Sequence, residues 1–580
     1  MDTVKVKING IEVETPVGST ILEAAYKAGI RIPTLCYMKG INAIGACRMC
    51  LVEVKGARAL AAACVYPVTP NMEVFTNTPA LRKARKTTLE LILSNHRMDC
   101  LSCVRNGNCE LATLAKEYGV DQYKYGDGRE LKVDLDTSSP HLIRDNSKCI
   151  LCRRCEAVCR SNQFVSVIGA NNRGFKTHIA SPFDMPLADT PCVNCGQCIT
   201  VCPTGALQPK DDTQKIWDAI ADPTKHVIVG PAPSVRAQLG ECFGMPIGTN
   251  VEGKLVAALR RLGFDKVFDV DTAADITIME EGTELLERVK TGGTLPLITS
   301  CSPGWVKFCE TYYPEFIPNI SSCKSPQQMY GALMKTYYAE KEGIDPKDIF
   351  VVSIMPCTAK KFELSRANQS ASGYEDIDVS VTTVELASMI RRAGIRFTDL
   401  ADEEFDPSFG VASGAAHIFG ATGGVMEAAL RTVYEVITGE TAPTVDYTEV
   451  RGTADIKEAT YDIGGMKVNV AVTSGLSNAA KLLDSVKSGE KNYHFIEVMC
   501  CPGGCVNGGG QPDQPGYIRN FEDLRALRAK ALYSEDAAMT LRKSHENPVV
   551  KEIYDTYLGK PGSHKAHEIL HTSYVEREIY

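Results

Sequence analysis

Residues 149–159 read CILCRRCEAVC and residues 192–203 read CVNCGQCITVCP. Each run spaces four cysteines as C-x2-C-x2-C-x3-C, and this repeat decides what kind of chain surrounds it. Three closely spaced thiolates hold one 4Fe-4S cube while the fourth cysteine reaches across to the other, so two runs complete two clusters between them. The expected sets are Cys149, Cys152, Cys155 with Cys202, and Cys192, Cys195, Cys198 with Cys159.

Toward the N-terminus, the helical segment TPALRKARKTTLELILSNH leads into His96, Cys100, Cys103 and Cys109. One imidazole and three thiolates suit either zinc or a 4Fe-4S cluster, and the neighbouring cluster motifs favour the second. Before that, the β-type runs VKVKI and IEVET and the helix signal STILEAAYKAG, with Ser19 as its N-cap, precede Cys36, Cys47, Cys50 and Cys64. Their C-x10-C-x2-C-x13-C pattern keeps the loop-then-distant-fourth arrangement of a 2Fe-2S site. The expected modules are a ferredoxin-like 2Fe-2S domain over 1–80, a His/Cys3 4Fe-4S domain over 81–138 and a two-4Fe-4S ferredoxin module over 139–210. One-electron centres in series carry charge between a surface partner and something deeper in the chain.

The bulk numbers agree. A chain of 580 residues, 44% hydrophobic and 23% charged, exceeds one core and predicts several domains. A net charge of -8 with scattered Lys and Arg excludes a nucleic-acid partner. The N-terminus shows no charged stretch followed by an apolar one, and no run approaches a membrane span, which predicts a soluble cytoplasmic protein. Of 23 cysteines, 15 lie between Cys36 and Cys202, and without a secretion signal metal ligation is the better reading than disulfides.

From 211 the texture becomes α/β, with strand-like runs HVIVG, KVFDV, TLPLITS, IFVVSIM, MKVNVAVTSG and HFIEVM between helical stretches. Ligand sites in α/β sheets gather at strand ends, so the loops after these runs should converge. Of the eight remaining cysteines, Cys242 and Cys309 read as small buried hydrophobes in helices. The others, Cys301, Cys323, Cys357, Cys500, Cys501 and Cys505, sit in loops.

The segments TSCSPGW (299–305), MPCTAKKFE (355–363) and EVMCCPGGCVNGGGQP (497–512) resemble the three signatures of the iron-only (FeFe) hydrogenases in their long modular form. The chain is also similar to the catalytic subunit of NAD(P)-linked multisubunit hydrogenases. The implied fold is α+β and multidomain: N-terminal ferredoxin-like iron-sulfur modules followed by an α/β H-cluster domain over 211–512, which a helical tail over 513–580 completes. The implied activity is reversible H2 oxidation and proton reduction. The implied cofactors are one 2Fe-2S cluster, three 4Fe-4S clusters and an H-cluster, a 4Fe-4S cube joined to a two-iron unit bearing CO, CN and azadithiolate.

The resemblance implies that Cys357 and Cys501 ligate the cube and that Cys505 bridges to the two-iron unit. Lys360 would hydrogen-bond a cyanide, and Ala232, Pro233, Ser234, Pro326, Gln327, Met355 and Phe419 would line the pocket. Gly503, Gly504 and Gly508–Gly510 would let backbone approach the cofactor. The implied proton route runs through Arg288, Glu284, Ser321 and Glu281 to a cysteine thiol. Spacing by itself says only that Glu281, Glu284 and Arg288 share a helix face.

The pattern breaks at one position. The family signature reads TSCCPGW, with a relay cysteine and then a cube ligand; here Cys301 takes the relay position and Ser302 the ligand position. Two extra cysteines, Cys323 and Cys500, stand where related sequences commonly have alanine. Three arrangements fit. Cys301 ligates while Cys500 or Cys323 relays; Ser302 ligates directly; or Cys301 relays while an extra cysteine ligates. The first is preferred, because thiol is the softer ligand and a thiol can exchange protons near neutral pH.

The resemblance implies ferredoxin or a flavin- and NAD(P)-binding diaphorase subunit as electron partner, and separate H-cluster maturation proteins. No Rossmann glycine fingerprint follows a strand, so nicotinamide chemistry is expected elsewhere. The alternatives are an H2 sensor or electron-transfer subunit with a modified or lost H-cluster, and an iron-sulfur module of a respiratory dehydrogenase. The three later segments weigh against both.

Overall fold

The structure is a computed structural model that describes residues 2–120, 124–125 and 135–579. The expected 81–138 module therefore falls partly outside the described residues. The N-terminal strands Thr3–Ile8, Ile11–Pro16, Leu51–Val54, Ala61–Ala62 and Glu73–Phe75 form one five-stranded sheet, against which helix Ile21–Lys27 packs four buried aliphatic side chains. Thr20, not Ser19, caps that helix: its hydroxyl accepts the Glu23 N–H at 3.3 Å while the Glu23 carboxylate takes the Thr20 N–H at 2.8 Å. The capping box requires the acid three residues after the cap, which Ser19 lacks.

The cysteine repeat is a repeat of backbone as well. Leu151 and Arg153 in the first run and Asn194 and Gly196 in the second occupy equivalent positions, and all four have φ between 54° and 71°. Each loop thus winds left-handed at the same two places before entering helices Arg154–Ser161 and Gln197–Thr200.

Eight strands follow: β1 (His226–Pro231), β2 (Lys266–Val267), β3 (Leu297–Ile298), β4 (Ile349–Met355), β5 (Val379–Thr382), β6 (Ile456–Ile463), β7 (Met466–Ser474) and β8 (Phe495–Met499). They build two four-stranded sheets, β2-β1-β4-β5, entirely parallel, and β3-β8-β7-β6, parallel except for the β6–β7 hairpin. Burial patterns of BBBBB at the end of β1 and throughout β8 explain the unbroken apolar runs, because a parallel strand is covered on both faces. Helix α1 (Val270–Thr291) touches both cores, with Ile276 in one and Ile278 in the other. Helix α2 (Pro303–Tyr312) starts directly after β3 and its loop.

The C-terminal stretch closes the domain. Asp536, on helix α3 (Leu524–Ala538), receives the buried Arg431 guanidinium at 2.8 and 2.9 Å. The chain end crosses the 321–324 loop, where Lys324 N–H donates to Leu570 O and Thr572 N–H to Ser322 O, both at 2.8 Å. Among the described residues no helix is long and apolar enough to cross a membrane.

Candidate active site

Parallel strands deliver their C-terminal ends to one side, and the loops after β1, β3, β4 and β8 meet around a cavity of about 810 Å³. Ala232, Pro233, Ser234, Cys301, Ser302, Pro326, Gln327, Met355, Cys357, Lys360, Phe419, Cys500, Cys501 and Cys505 all line it. Burial holds the Cys357 thiol up at about 12, and burial with Cys357 and Cys501 nearby raises Cys505 further. Thiols this unwilling to ionise crowd together only where something else takes their charge, and metal ligation does so by replacing the proton. Soft donors on a buried wall suit iron-sulfur ligation.

Lys360 extends its ammonium to Ser325 Oγ at 2.8 Å and to both Glu363 oxygens at 3.0 and 3.3 Å. Glu363 also accepts from Gln327 Nε2 at 2.9 Å, so one buried carboxylate orients two cavity-lining groups. Sequence reading missed Glu363, although its i, i+3 relation to Lys360 in MPCTAKKFE was visible.

Glu281, Glu284, Ser321 and Arg288 form a continuous line that leads to Cys301. Arg288 Nη2 meets Glu284 Oε1 at 2.6 Å, and Ser321 Oγ donates to Glu284 Oε2 at 2.8 Å. Ser321 also hydrogen-bonds Glu281, which is 2% exposed and faces the Cys301 thiol. Burial, with Glu284 adding, raises the Glu281 carboxyl to about 8, and burial beside Glu281 raises Cys301 well above the usual thiol value. The tail contributes here unforeseen: Tyr574 O–H donates to Ser321 O at 2.7 Å, and His571 Nδ1 lies 2.8 Å from Ser322 Oγ. No local motif announces a contact across 250 residues.

Three expectations need correction. Cys323 does not line the cavity; its Sγ lies 3.8 Å from Glu284 Oε2, on the line of proton-bearing groups. Cys242 sits in a short 3-10 turn rather than a helix and is only partly buried. The glycines mainly admit other backbone: an added Cβ would lie 2.6 Å from Thr422 N at Gly504, 2.4 Å from Pro356 O at Gly508 and 2.2 Å from Cys195 O at Gly509. Only Gly504 and Gly508 of these also line the cavity.

The electron-carrying cysteines are gathered into groups. Cys159, Cys192, Cys195 and Cys198 line one cavity, and Cys195 lines the larger one too. Cys149, Cys152, Cys155 and Cys202 are mutual electrostatic neighbours. Cys50 Sγ lies 3.3 Å from Cys64 Sγ, and Cys36 hydrogen-bonds Cys47 and Cys64. Burial lowers His96 to about 4, so its imidazole is neutral near pH 7, the form that binds metal. Cys103 and Cys109 are neighbours, whereas Cys100 is exposed.

Residues 225–509 match the family profile described as iron only hydrogenase large subunit, C-terminal domain, and 522–577 match iron hydrogenase small subunit. Residues 1–79 match a 2Fe-2S iron-sulfur cluster binding domain, 85–123 the NADH-ubiquinone oxidoreductase-G iron-sulfur binding region and 148–206 a 4Fe-4S dicluster domain. The chain is 50% identical over 100% of both chains to the NADP-reducing hydrogenase subunit HndD of Solidesulfovibrio fructosivorans. It is 44% identical, over 98% of this chain and 99% of the other, to iron hydrogenase 1 of Clostridium pasteurianum. The chain belongs to the iron-only hydrogenases.

A solved structure of apo [FeFe]-hydrogenase HydA1 from Chlamydomonas reinhardtii, in a variant form, superposes with a TM-score of 0.56 at 44% identity, covering 62% of this chain and 98% of that one. As an iron-only hydrogenase the chain is an oxidoreductase that interconverts protons and H2, with electrons relayed through 2Fe-2S and 4Fe-4S domains ahead of the H-cluster domain. The segment shared with respiratory dehydrogenases ends at residue 123, and full-length identity to hydrogenases favours the enzyme over a sensor or an electron-transfer subunit.

Proposed function

We propose that this hydrogenase passes electrons between the cavity and a flavin- and NAD(P)-binding diaphorase subunit, through one 2Fe-2S and three 4Fe-4S clusters held by the four N-terminal ligand groups. The observation that carries the order of the route is Cys195, which lines both the cavity and the adjoining cysteine-lined one. The residues on the cavity wall fit an H-cluster. Cys357, Cys501 and Cys505 would hold its iron, Lys360 would offer a charged donor to an anionic ligand, and Met355 and Phe419 would exclude water. When bound, the group supplies the metal centre at which protons and electrons combine.

The chain's own residues manage the proton. Arg288, 16% exposed, fixes Glu284 at the outer end; Ser321 joins Glu284 to Glu281; Glu281 faces the Cys301 thiol at the inner end. Glu281, with a pKa of about 8, can both hold and release a proton near neutrality.

The relative named as NADP-reducing supports a nicotinamide-linked partner over ferredoxin. Such a partner places the chain in the cytoplasm, where thiols stay reduced. Separate maturation proteins would load the cofactor. Infrared spectra of the matured protein should show CO and CN stretching bands, and their absence would overturn the site reading. With H2, the chain by itself should reduce a viologen dye but NADP⁺ only after a diaphorase subunit is added; NADP⁺ reduction without one would overturn the partner.

A further inference from the structure

We infer that Cys500 supplies the fourth thiolate of the cubic half of the H-cluster, while Ser302 positions it. The inference rests on the site reading above. A cube has four irons and needs four ligands, of which Cys357, Cys501 and Cys505 account for three.

The other candidates are engaged elsewhere. Cys301 faces Glu281 and Lys360 and packs against the apolar cluster that includes Phe419 and Met499, so moving it to the cube would break the proton line. Cys323 lies off the cavity beside Glu284. The Ser302 hydroxyl is a hard donor, and its oxygen accepts the Cys500 backbone N–H at 3.1 Å.

Cys500 meets every geometric demand. It lines the cavity, and its thiol hydrogen-bonds the thiols of Cys501 and Cys195. It does not line the neighbouring cavity of Cys159, Cys192, Cys195 and Cys198, so the spare sulfur belongs to the H-cluster side of that wall. Consecutive residues of an extended strand point to opposite faces, but the chain leaves β8 at Met499 and bends, and both thiols reach one cavity. A Cβ on Gly304 would stand 2.7 Å from Cys500 Sγ, so glycine there leaves the sulfur its space.

Strand register explains why one thiol can replace the other. β3 and β8 are parallel neighbours with Ile298 opposite Ile496, which puts Ser302 and Cys500 each four residues past a paired position. The cysteine has moved from one loop to the equivalent place on the loop beside it. Ligation exchanges the Cys500 S–H bond for an S–Fe bond; the proton leaves to solvent and no electron is transferred.

The test uses the full chain expressed without the maturation proteins that install the two-iron unit, so that cube content is read without activity. Iron and acid-labile sulfide per chain, and the paramagnetic resonance of the reduced cube, are compared in Cys500→Ala, Cys500→Ser, Ser302→Ala and the double variant Cys500→Ala with Ser302→Cys. The 2Fe-2S signal serves as the folding control. Cys500→Ala should lose the cube's signal and about four irons; Cys500→Ser should lose the signal or alter it, and Ser302→Ala should keep it. The double variant should regain it. A Cys500→Ala chain that keeps the cube, or a double variant that does not regain it, overturns the ligand assignment. A parent chain with no cube signal at all would instead overturn the site reading beneath it.

Discussion

Glu281→Gln isolates the one carboxyl whose protonation the fold has tuned. Burial raises that group from 4.5 to about 8, with Glu284 adding to the effect. The gap corresponds to about 5 kcal/mol of preference for the neutral acid. Because the folded value lies above the unfolded one, the folded chain holds an extra proton between pH 4.5 and about 8. This group's contribution to stability is therefore complete below pH 4.5 and is lost as pH rises toward 8. Glutamine keeps the volume and cannot ionise, so the variant should show none of that loss.

Two assays read the proton itself. Infrared difference spectra of the parent should lose one carboxyl C=O band with a midpoint near pH 8, and the variant should lack that band. H2-driven viologen reduction by the variant should fall on the order of 10²–10⁴-fold with all clusters intact, the usual range for a lost general acid–base group. A fully loaded variant that keeps more than about a tenth of parental turnover would refute the proton line. A band midpoint near 4.5 would refute the burial argument even if turnover fell.

Ser321→Ala removes the hydroxyl between Glu284 and Glu281; turnover should drop roughly tenfold or more, while thermal stability changes by no more than about 1.5 kcal/mol. Arg431→Met strips the guanidinium shared by Glu427 and Asp536 and should cost about 3 kcal/mol, the low end for a broken buried pair, because Arg451 and Arg542 still face those carboxylates. Thermal denaturation and protease sensitivity of the C-terminal stretch would read it. Gly509→Ala drives a methyl to 2.2 Å from Cys195 O and must part the 508–510 loop from the ferredoxin-type loop. Rapid-mixing spectra should show slower reduction of the N-terminal clusters by H2, with the cube's own signal retained.

Local spacing carried the iron-sulfur half of the molecule because each ligand group is compact in sequence or repeats itself, as Leu151 and Asn194 repeat even their left-handed backbone. Apolar runs ending in cysteine or glycine located the loops of the cavity, since strands buried on both faces leave an unbroken signature. What stayed hidden depends on register or on distant chain. Glu363 was within reach of a spacing argument, whereas His571 and Tyr574 reach the 321–323 loop from some 250 residues away. The glycines were read as room for a cofactor, but only coordinates reveal that Gly509 is pressed against Cys195.

The serine in TSCSPGW marks the limit of the linear reading. Taken along the chain, Ser302 is a missing ligand with Cys301 beside it as the nearest substitute, and that adjacency made Cys301 the preferred candidate. Adjacency in sequence is a poor guide at a strand end, because the two neighbours there are already assigned to different tasks: Cys301 to the carboxyl of Glu281, Ser302 to the backbone of Cys500. The position equivalent to Ser302 lies across the β3–β8 pairing, 198 residues away, where Cys500 stands. A substitution that looks like loss in one signature and surplus in another is then a single transfer between two parallel loops. It keeps a thiol on the cavity wall and leaves the proton line to Cys301 intact.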